Sequence, residues 1–243
     1  MKPWLSFVEL CFALVLLNPP TASAADTNLL VGTWGTQLKG PGSDQTTCYL
    51  TFSNDFTCSG YGIALKSFGP VSIMGTWGVD SKGDITGGIT GHRGDGDLSM
   101  TLTKFDANHS KIHGSAFSPK GRVTLKGNAL STPPDVSGSN WVGEVRTHSN
   151  LSNQAYTFTA STNVPGWYDV TGTGIGVGGV YAMSGALIVS PDRNANGYFV
   201  SDFGTGKTST WSFAGRFVPS LERATCRGHS DNGDSLRIFI EKQ

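Results

Sequence analysis

Val71–Thr90 reads VSIMGTWGVDSKGDITGGIT, and this stretch decides the class of fold. Val71, Ile73 and Trp77 alternate with small or polar residues, and apolar residues alternate again after a polar turn that ends in Gly83. A period of two indicates strands with one buried face. Glycine at the end of the turn suits the positive φ of a tight hairpin. The stretch therefore predicts a β-hairpin.

The same pattern extends along the chain and predicts an all-β protein. Strand-like runs are predicted at 29–37, 46–53, 56–65, 71–80, 84–91, 97–106, 111–118 and 122–127, and again at 139–148, 154–161, 167–176, 180–190, 197–204, 208–218, 223–230 and 234–242. Short polar or glycine-bearing turns between the runs favour antiparallel meanders, and closing such a sheet removes both exposed edges. We therefore expect two tandem antiparallel eight-stranded meander barrels that arose by internal duplication.

The N-terminal segment has the order of charge and hydropathy that directs export. Lys2 precedes an apolar run from Leu5 to Leu17, and the small residues Ala22 and Ala24 fit a cleavage site. The run is shorter than the ~20 apolar residues of a membrane-spanning helix. Residues 1–24 are therefore predicted to be a signal peptide, and the protein is expected to be secreted or periplasmic and not membrane-spanning.

A proline-containing stretch separates the two sets of strands. Pro133 and Pro134 lie among small polar residues, a composition that is typical of linkers. The predicted domains are a first β-barrel at 25–128, a linker at 129–138 and a second β-barrel at 139–243.

Charge and composition narrow the partners and the chemistry. The formal net charge is zero, so neither nucleic acid nor an anionic membrane surface is implied as a partner. The chain has no G-x-S-x-G nucleophile elbow, and its glycine-rich stretches are not followed by a helix that would hold a phosphate. We therefore expect a protein that is not an enzyme and needs no cofactor.

Three cysteines follow the signal segment: Cys48, Cys58 and Cys226. Cys48 and Cys58 flank the turn predicted at 53–56 and so lie on neighbouring strands. In an oxidising compartment these two are expected to form a disulfide, and Cys226 would then have no disulfide partner within the chain. The alternative is that all three are small buried apolar side chains.

The stretch from Asp192 to Gly197 reads DRNANG and matches the first half of a calcium loop. Asp192, Asn194 and Asn196 would supply oxygen ligands at alternate positions. However, the twelfth position is Phe203 instead of glutamate, and Asp and Asn also favour plain hairpin turns. Calcium binding by these three residues is therefore one hypothesis, and a polar turn is the other.

The first predicted strand carries a family resemblance. Its segment Gly32–Trp34 reads GTW, and a Gly-x-Trp at this position of an eight-stranded meander resembles the calycins, the group of lipocalins, fatty-acid-binding proteins and avidins. Trp141 opens the second half in a similar way. The resemblance implies barrels that can enclose a small ligand, and a basic residue of the last strand across the tryptophan, for which Arg122 and Arg237 are available. Avidins place tryptophans of the biotin site on their middle strands, whereas the sixth strand of the first half has Ser99, Met100, Thr101 and Leu102 there, so biotin binding is not implied.

The sequence is compatible with two functions. In the first, the barrels bind a small apolar ligand between inward-facing side chains. The residues expected to contact it are Trp34, Trp77, Met100, Trp141, Trp211 and Phe213. In the second, the barrels are solid, these side chains are ordinary core, and the protein is a structural or adhesion protein of the envelope or extracellular space with a protein partner at the cell surface. Interior glycines such as Gly75 and Gly87 fit either a hollow barrel or tightly coiled strands.

Overall fold

The computed structural model describes residues 30–41, 45–81, 85–93, 98–107, 110–130, 132–148, 150–204 and 206–243, with the backbone alone for 92–93 and 98–107. The predicted signal peptide at 1–24 lies outside these residues. The first eight strands are β1 (Gly32–Lys39), β2 (Gln45–Phe52), β3 (Thr57–Ala64), β4 (Gly69–Val79), β5 (Ile85–Arg93), β6 (Leu98–Ala107), β7 (Lys111–Ser118) and β8 (Gly121–Ala129). The second eight are β9 (Gly138–Thr147), β10 (Leu151–Ala160), β11 (Trp167–Gly176), β12 (Gly179–Val189), β13 (Asn194–Asp202), β14 (Thr208–Phe217), β15 (Arg223–Ser230) and β16 (Ser235–Lys242).

These strands confirm the all-β prediction, and each lies close to its predicted position. The largest differences, of three residues, are at the starts of β1, β10 and β13, and β13 begins at Asn194 instead of at 197. For β13 the turn before the strand explains the difference. This turn is tighter than expected: the Ser190 N–H donates to the Asn194 carbonyl at 2.8 Å, and the Arg193 N–H donates to the Ser190 carbonyl at 2.7 Å. Arg193 takes the left-handed conformation, with φ of 68°, that such a turn requires.

Pairing between strands is antiparallel and follows chain order within each half. In the first half β1 also pairs with β8, with Trp34 opposite Ala129, which closes an eight-stranded barrel. In the second half β9 pairs with both β10 and β16, with Trp141 opposite Lys242. The first and last strands of each half are therefore neighbours, as a meander that closes on itself requires.

Each half builds its own core from the inward-facing side chains of its strands. Trp34, Leu50, Phe52 and Trp77 belong to the first core. Trp141, Phe158 and Phe213 belong to the second, and none of these seven side chains is more than 7% exposed. Four of them, Trp34, Trp77, Trp141 and Phe213, were expected to point inward, so alternation identified their buried faces correctly.

In both halves, a buried apolar residue that precedes the first strand closes one end of the barrel. The Trp34 indole N–H donates to the Leu30 carbonyl at 2.7 Å, and the Trp141 indole N–H donates to the Val136 carbonyl at 3.0 Å. Leu30 and Val136 each precede the first strand of their half and are fully buried. An apolar residue held by the strand's own tryptophan thus plugs the same end of both barrels.

The basic residue across the tryptophan is not one of the two expected residues. The Lys242 ammonium lies 5.8 Å from the centre of the Trp141 ring, at a distance suited to a cation–π contact. Arg237 lies on the same strand, but it points outward and lies over Phe239 at 6.0 Å. Arg122 donates to the Ser115 hydroxyl at 2.9 Å. The expectation was right about the last strand of the second half and wrong about the residue, because the alternation of β16 points Arg237 away from the core.

Interior glycines of the first barrel bring neighbouring strands close together. A Cβ on Gly75 would lie 2.1 Å from the Gly88 carbonyl oxygen, and one on Gly87 would lie 2.3 Å from the Thr76 carbonyl oxygen. No side chain fits at either position. Of the two alternatives for these glycines, the structure therefore favours tightly coiled strands.

The two halves pack side by side through the outer faces of β2 and β3 and of β12 and β13. Tyr49, Ile63, Ala186 and Ile188 form a buried cluster between them. The Tyr49 hydroxyl also donates to the Val189 carbonyl at 2.7 Å. The outer faces of these strands are therefore covered instead of facing solvent.

Asn196 lies at the centre of this junction and is fully buried. Its Nδ2 donates to the carbonyls of Gln45 at 2.9 Å and Ile63 at 3.1 Å. Its Oδ1 accepts from the Thr47 hydroxyl at 2.9 Å and from Gln45 Nε2 at 3.3 Å. One side chain of the second half thus satisfies both ends of its amide with groups of the first half.

The predicted disulfide between Cys48 and Cys58 is wrong. The two residues lie on neighbouring strands, as expected, but the register places Cys48 opposite Gly62 and Cys58 opposite Phe52. An offset of four residues corresponds to about 13 Å along a strand, well beyond the Cα separation that a disulfide spans. Both cysteines and Cys226 are buried free thiols, which is the alternative that the sequence left open.

Candidate functional site

A cavity of about 150 Å³, which we call the mouth cavity, lies at the end of the second barrel where β9 ends. The sealing residue Val136 and the indole of Trp141 are at the other end, where β9 begins. Val145 and Thr147 of β9 face this cavity, and the ends of β10 to β14 complete its wall. The second barrel therefore has one sealed end and one end that contains a small hollow.

Aromatic rings form most of the apolar wall of this mouth cavity. Phe199 and Trp211 are stacked with their centres 6.3 Å apart, and Tyr181 and Phe203 lie 5.1 Å apart. All four residues line the cavity. A planar apolar molecule would find rings to stack on here.

A glycine allows Tyr181 to take its place in the wall. Gly174 lies opposite Tyr181 on the neighbouring strand β11. A Cβ at this position would lie 2.3 Å from the tyrosine ring. Because glycine has no side chain, the Tyr181 ring can lie across this position.

A chain of hydrogen bonds runs along one side of the cavity. The Tyr156 hydroxyl donates to Gln154 Oε1. Gln154 Nε2 donates to the Tyr181 hydroxyl at 2.7 Å, and the Tyr181 hydroxyl donates to Ser152 Oγ at 3.1 Å. Ser152, Gln154 and Tyr181 border the cavity, so this polar chain ends at its surface.

The far end of the chain is deeply buried. Burial raises the pKa of Tyr156 well above its usual value, with smaller contributions from Tyr181 and Cys226. The phenol therefore stays protonated and keeps its role as a hydrogen-bond donor.

The mouth cavity carries no charged side chain among the described residues that line it. Its outer border is also apolar: Val177, at the turn between β11 and β12, is 86% exposed, and Phe203, after β13, is 41% exposed. The site thus combines aromatic walls, an uncharged polar cluster and an exposed apolar border. These properties suit a neutral ligand that is mainly apolar.

The structure places one of the six predicted ligand contacts at this cavity. Trp211 lines it, and Phe213 lies deeper, with its ring 5.9 Å from that of Phe199. Trp141 belongs to the sealed end of the same barrel. Trp34 and Trp77 belong to the core of the first barrel. Met100 lies opposite Ile89 on β6, and its side chain is outside what the structure describes.

The three residues of the predicted calcium loop do not converge on one point. Asp192 accepts hydrogen bonds from the Ser190 hydroxyl and from Asn194 Nδ2, so it organises the turn. Asn196 lies on β13 and faces the first half of the chain. Within the described ranges no group of three or more His, Cys, Asp or Glu residues could hold a metal ion. The polar-turn alternative therefore describes Asp192 and Asn194.

A larger depression, of about 870 Å³, lies on the outer face of the second barrel. Its charged residues are of both signs, and Arg223 and Glu241 lie 4.0 Å apart there. Both side chains are about two-thirds exposed, at 66% and 63%. This depression is more open to solvent than the mouth cavity, so we regard the mouth cavity as the candidate site.

Sequence reasoning missed the polar residues of the site. Gln154, Tyr156 and Phe158 share one face of β10, and all three are buried. The same alternation places Gln154 inside the barrel, where a polar side chain needs partners. That inward glutamine was the signal that could have located the cavity.

No family model and no curated protein match the sequence. Among solved structures, the chain is similar to a redesigned β-barrel, mFAP1, bound to DFHBI, with 14% identity and a TM-score of 0.39 over 44% of this chain and 94% of that one. It is similar to a Bacteroides fragilis protein assigned provisionally to the outer membrane, with 12% identity and a TM-score of 0.30 over 89% and 98% of the two chains. It is also similar to a protein of unknown function of the DUF3598 family from Nostoc punctiforme, with 12% identity and a TM-score of 0.28 over 88% and 97%.

These likenesses are too low to carry an argument about function. The closed eight-stranded barrel that the calycin resemblance implied is seen in the strand pairing of this chain itself. Separately, the described residues contain no helix long and apolar enough to cross a membrane.

Proposed function

We propose that this is an exported, non-enzymatic protein of two lipocalin-like barrels that arose by internal duplication, and that the second barrel binds a small, mainly apolar ligand in its mouth cavity without a cofactor. The observation that carries the proposal is the cavity itself: aromatic walls, few polar groups and one open side. Concave sites with this composition are the usual form of small-molecule sites.

The size of the cavity limits the ligand. An apolar hollow of about 150 Å³ accommodates a molecule of the size of benzene. Val177 and Phe203 line the cavity and are themselves exposed, so a somewhat larger planar molecule can extend outward past them. Ligands of one or two rings fit this space, and long lipids do not.

Filling the cavity tests the proposal. Naphthalene, a neutral apolar probe with its own fluorescence, is titrated with the full mature protein. Ser201 is buried and lines the cavity, so Ser201→Leu fills it; Thr147→Phe, at its half-buried border, does so with less risk to the core. Each variant is expected to weaken binding at least tenfold, which corresponds to about 1.4 kcal/mol. Val200→Leu adds bulk to the outer face of the same strand and serves as the control.

Equal binding by wild type and both filling variants would show that naphthalene binds elsewhere. The alternative function, a structural or adhesion protein with solid barrels, would then be preferred. The observation in its favour is the close approach of strands at Gly75 and Gly87 in the first barrel. Native mass spectrometry of the protein purified gently from its host gives an independent test, because a bound ligand appears as an adduct that is lost on denaturation.

A further inference from the structure

We infer that the mouth cavity selects a neutral, planar molecule that carries a hydrogen-bond acceptor, such as a carbonyl oxygen or a ring nitrogen, and that the acceptor binds the free hydroxyl proton of the Ser152–Tyr181 pair. This inference rests on the proposed function and specifies the class of ligand. It follows from the direction of the hydrogen-bond chain.

The direction of the chain is set at its buried end. Tyr156 is 4% exposed, and in the described part of the chain its hydroxyl has one hydrogen-bond partner, the Gln154 amide. A buried phenol proton without an acceptor is costly, so the amide must present its oxygen to Tyr156. The Gln154 nitrogen then faces Tyr181 and Ser152, at 2.7 Å and 3.5 Å.

Ser152 receives protons from two sides. The Tyr181 hydroxyl donates to Ser152 Oγ at 3.1 Å, and Gln154 Nε2 approaches the same oxygen at 3.5 Å. A hydroxyl oxygen has two lone pairs and one proton. With both lone pairs directed at protein donors, the Ser152 proton is the group left for a ligand.

The reverse arrangement gives the same result. If Ser152 donates to Tyr181 instead, the Tyr181 proton becomes the free one. The pair has two hydroxyl protons, and one of them is used between the two oxygens. In both arrangements one hydroxyl proton and one lone pair of the two hydroxyls remain for a ligand. A ligand whose only polar group is a donor leaves the hydroxyl proton unpaired, which costs more than an unused lone pair does.

The absence of charged side chains from the described lining excludes ionic ligands. A carboxylate or ammonium group that enters a mainly apolar cavity loses its hydration without gaining an opposite charge. A fatty acid, whose head group is an anion, is therefore a poor ligand for this site. A neutral aromatic ketone or an unprotonated aza-aromatic ring meets both requirements.

Two bicyclic probes separate this inference from the proposed function. Quinoline carries a ring nitrogen that only accepts, and indole carries an N–H that only donates; both are neutral near pH 7, planar and of similar size. Binding to the full mature protein is followed by ligand-observed NMR. Quinoline is expected to bind about tenfold more tightly than indole, the effect of one net hydrogen bond. 2-Naphthoate, an anion of similar shape, is expected to bind more weakly still.

A combined variant tests the two hydroxyl groups. Ser152→Ala and Tyr181→Phe remove both hydroxyl protons and keep the aromatic wall. Gln154→Leu and Tyr156→Phe are added because the Gln154 N–H groups, which donate to the two hydroxyls, would otherwise be freed to bind an acceptor. The preference for quinoline over indole should then disappear. The matched control is Ser67→Ala with Tyr61→Phe. These hydroxyls bond to Ala64 and Pro165, away from the cavity, so the preference should be retained.

The outcomes are distinguishable. Equal binding of quinoline and indole by wild type, or tight binding of 2-naphthoate, overturns the inference about the ligand while the proposed function stands. Failure of all three probes and of naphthalene to bind overturns both. A preference that survives in the combined variant shows that the acceptor is recognised elsewhere and overturns the assignment to Ser152 and Tyr181.

Discussion

Replacement of Asn196 by leucine should weaken the contact between the two halves of the chain. Leucine has a similar size but makes none of the hydrogen bonds of the amide. Three of these are short and well buried: those to the Thr47 hydroxyl and to the carbonyls of Gln45 and Ile63, at 2.9, 2.9 and 3.1 Å. At about 1 kcal/mol net for each bond, Asn196→Leu should lower the free energy of unfolding by about 3 kcal/mol.

The assay is urea unfolding of the full mature protein, followed by tryptophan fluorescence and by far-ultraviolet circular dichroism. Asn194→Leu is the matched control, because Asn194 lies on the same strand but bonds to Asp192 within its own turn. The control should lose less than about 1 kcal/mol, as one partly exposed bond does. Loss of the junction should also separate the unfolding of the two barrels, so that the two signals no longer coincide.

A double-mutant cycle makes the test sharper. Thr47→Val removes one partner of Asn196, and the coupling between the two substitutions should be about 1 kcal/mol. If Asn196→Leu costs no more than Asn194→Leu, the junction does not depend on this amide and the reasoning is refuted.

Two further predictions concern titratable groups. Burial, with the nearby Lys66 as a smaller cause, lowers the pKa of His229 from its usual 6.5, and the Phe68 ring packs against the imidazole at 4.9 Å. The unfolded chain therefore binds the proton more readily, so this contribution to stability is complete above about pH 6.5 and is lost as the pH falls through the folded value. His229→Gln should reduce the dependence of the free energy of unfolding on pH below about 6.5, and an unchanged slope would contradict the assignment. Burial raises the pKa of each of the three cysteine thiols to about 12. They should react with a thiol reagent at neutral pH only after denaturation, whereas a native mass lower by two hydrogens would reveal a disulfide.

The strands and their buried faces could be predicted from the sequence because alternation acts locally. In β4, the period of two from Val71 to Trp77 identifies both the strand and its inward side. Alternation does not identify register: a shift of two residues keeps every side chain on its face. Cys48 and Cys58 were therefore assigned correctly to neighbouring strands and wrongly to each other.

Contacts between distant parts of the chain were beyond prediction. Asn196 points outward on β13, where a polar residue normally meets solvent, and its place in a turn-like sequence suggested a calcium ligand. It is buried because another part of the chain, Gln45–Ile63, covers it. The mouth cavity was missed for a related reason. Aromatic residues were taken as the signal for a ligand, whereas Gln154, the polar residue inside the barrel, marks the site.

The junction also contains an asparagine that can deamidate slowly. Asn196 is followed by Gly197, and in this pair the glycine backbone nitrogen readily attacks the asparagine side-chain carbonyl. Ammonia leaves, and water then opens the resulting succinimide to aspartate or isoaspartate. In the native protein the amide is held by the first half of the chain and its backbone is fixed in β13. An unfolded chain has neither restraint. Because a carboxylate cannot donate to the carbonyls of Gln45 and Ile63, chains that have deamidated while unfolded will reassemble with a damaged junction, and isoaspartate at this position will record how long they were unfolded.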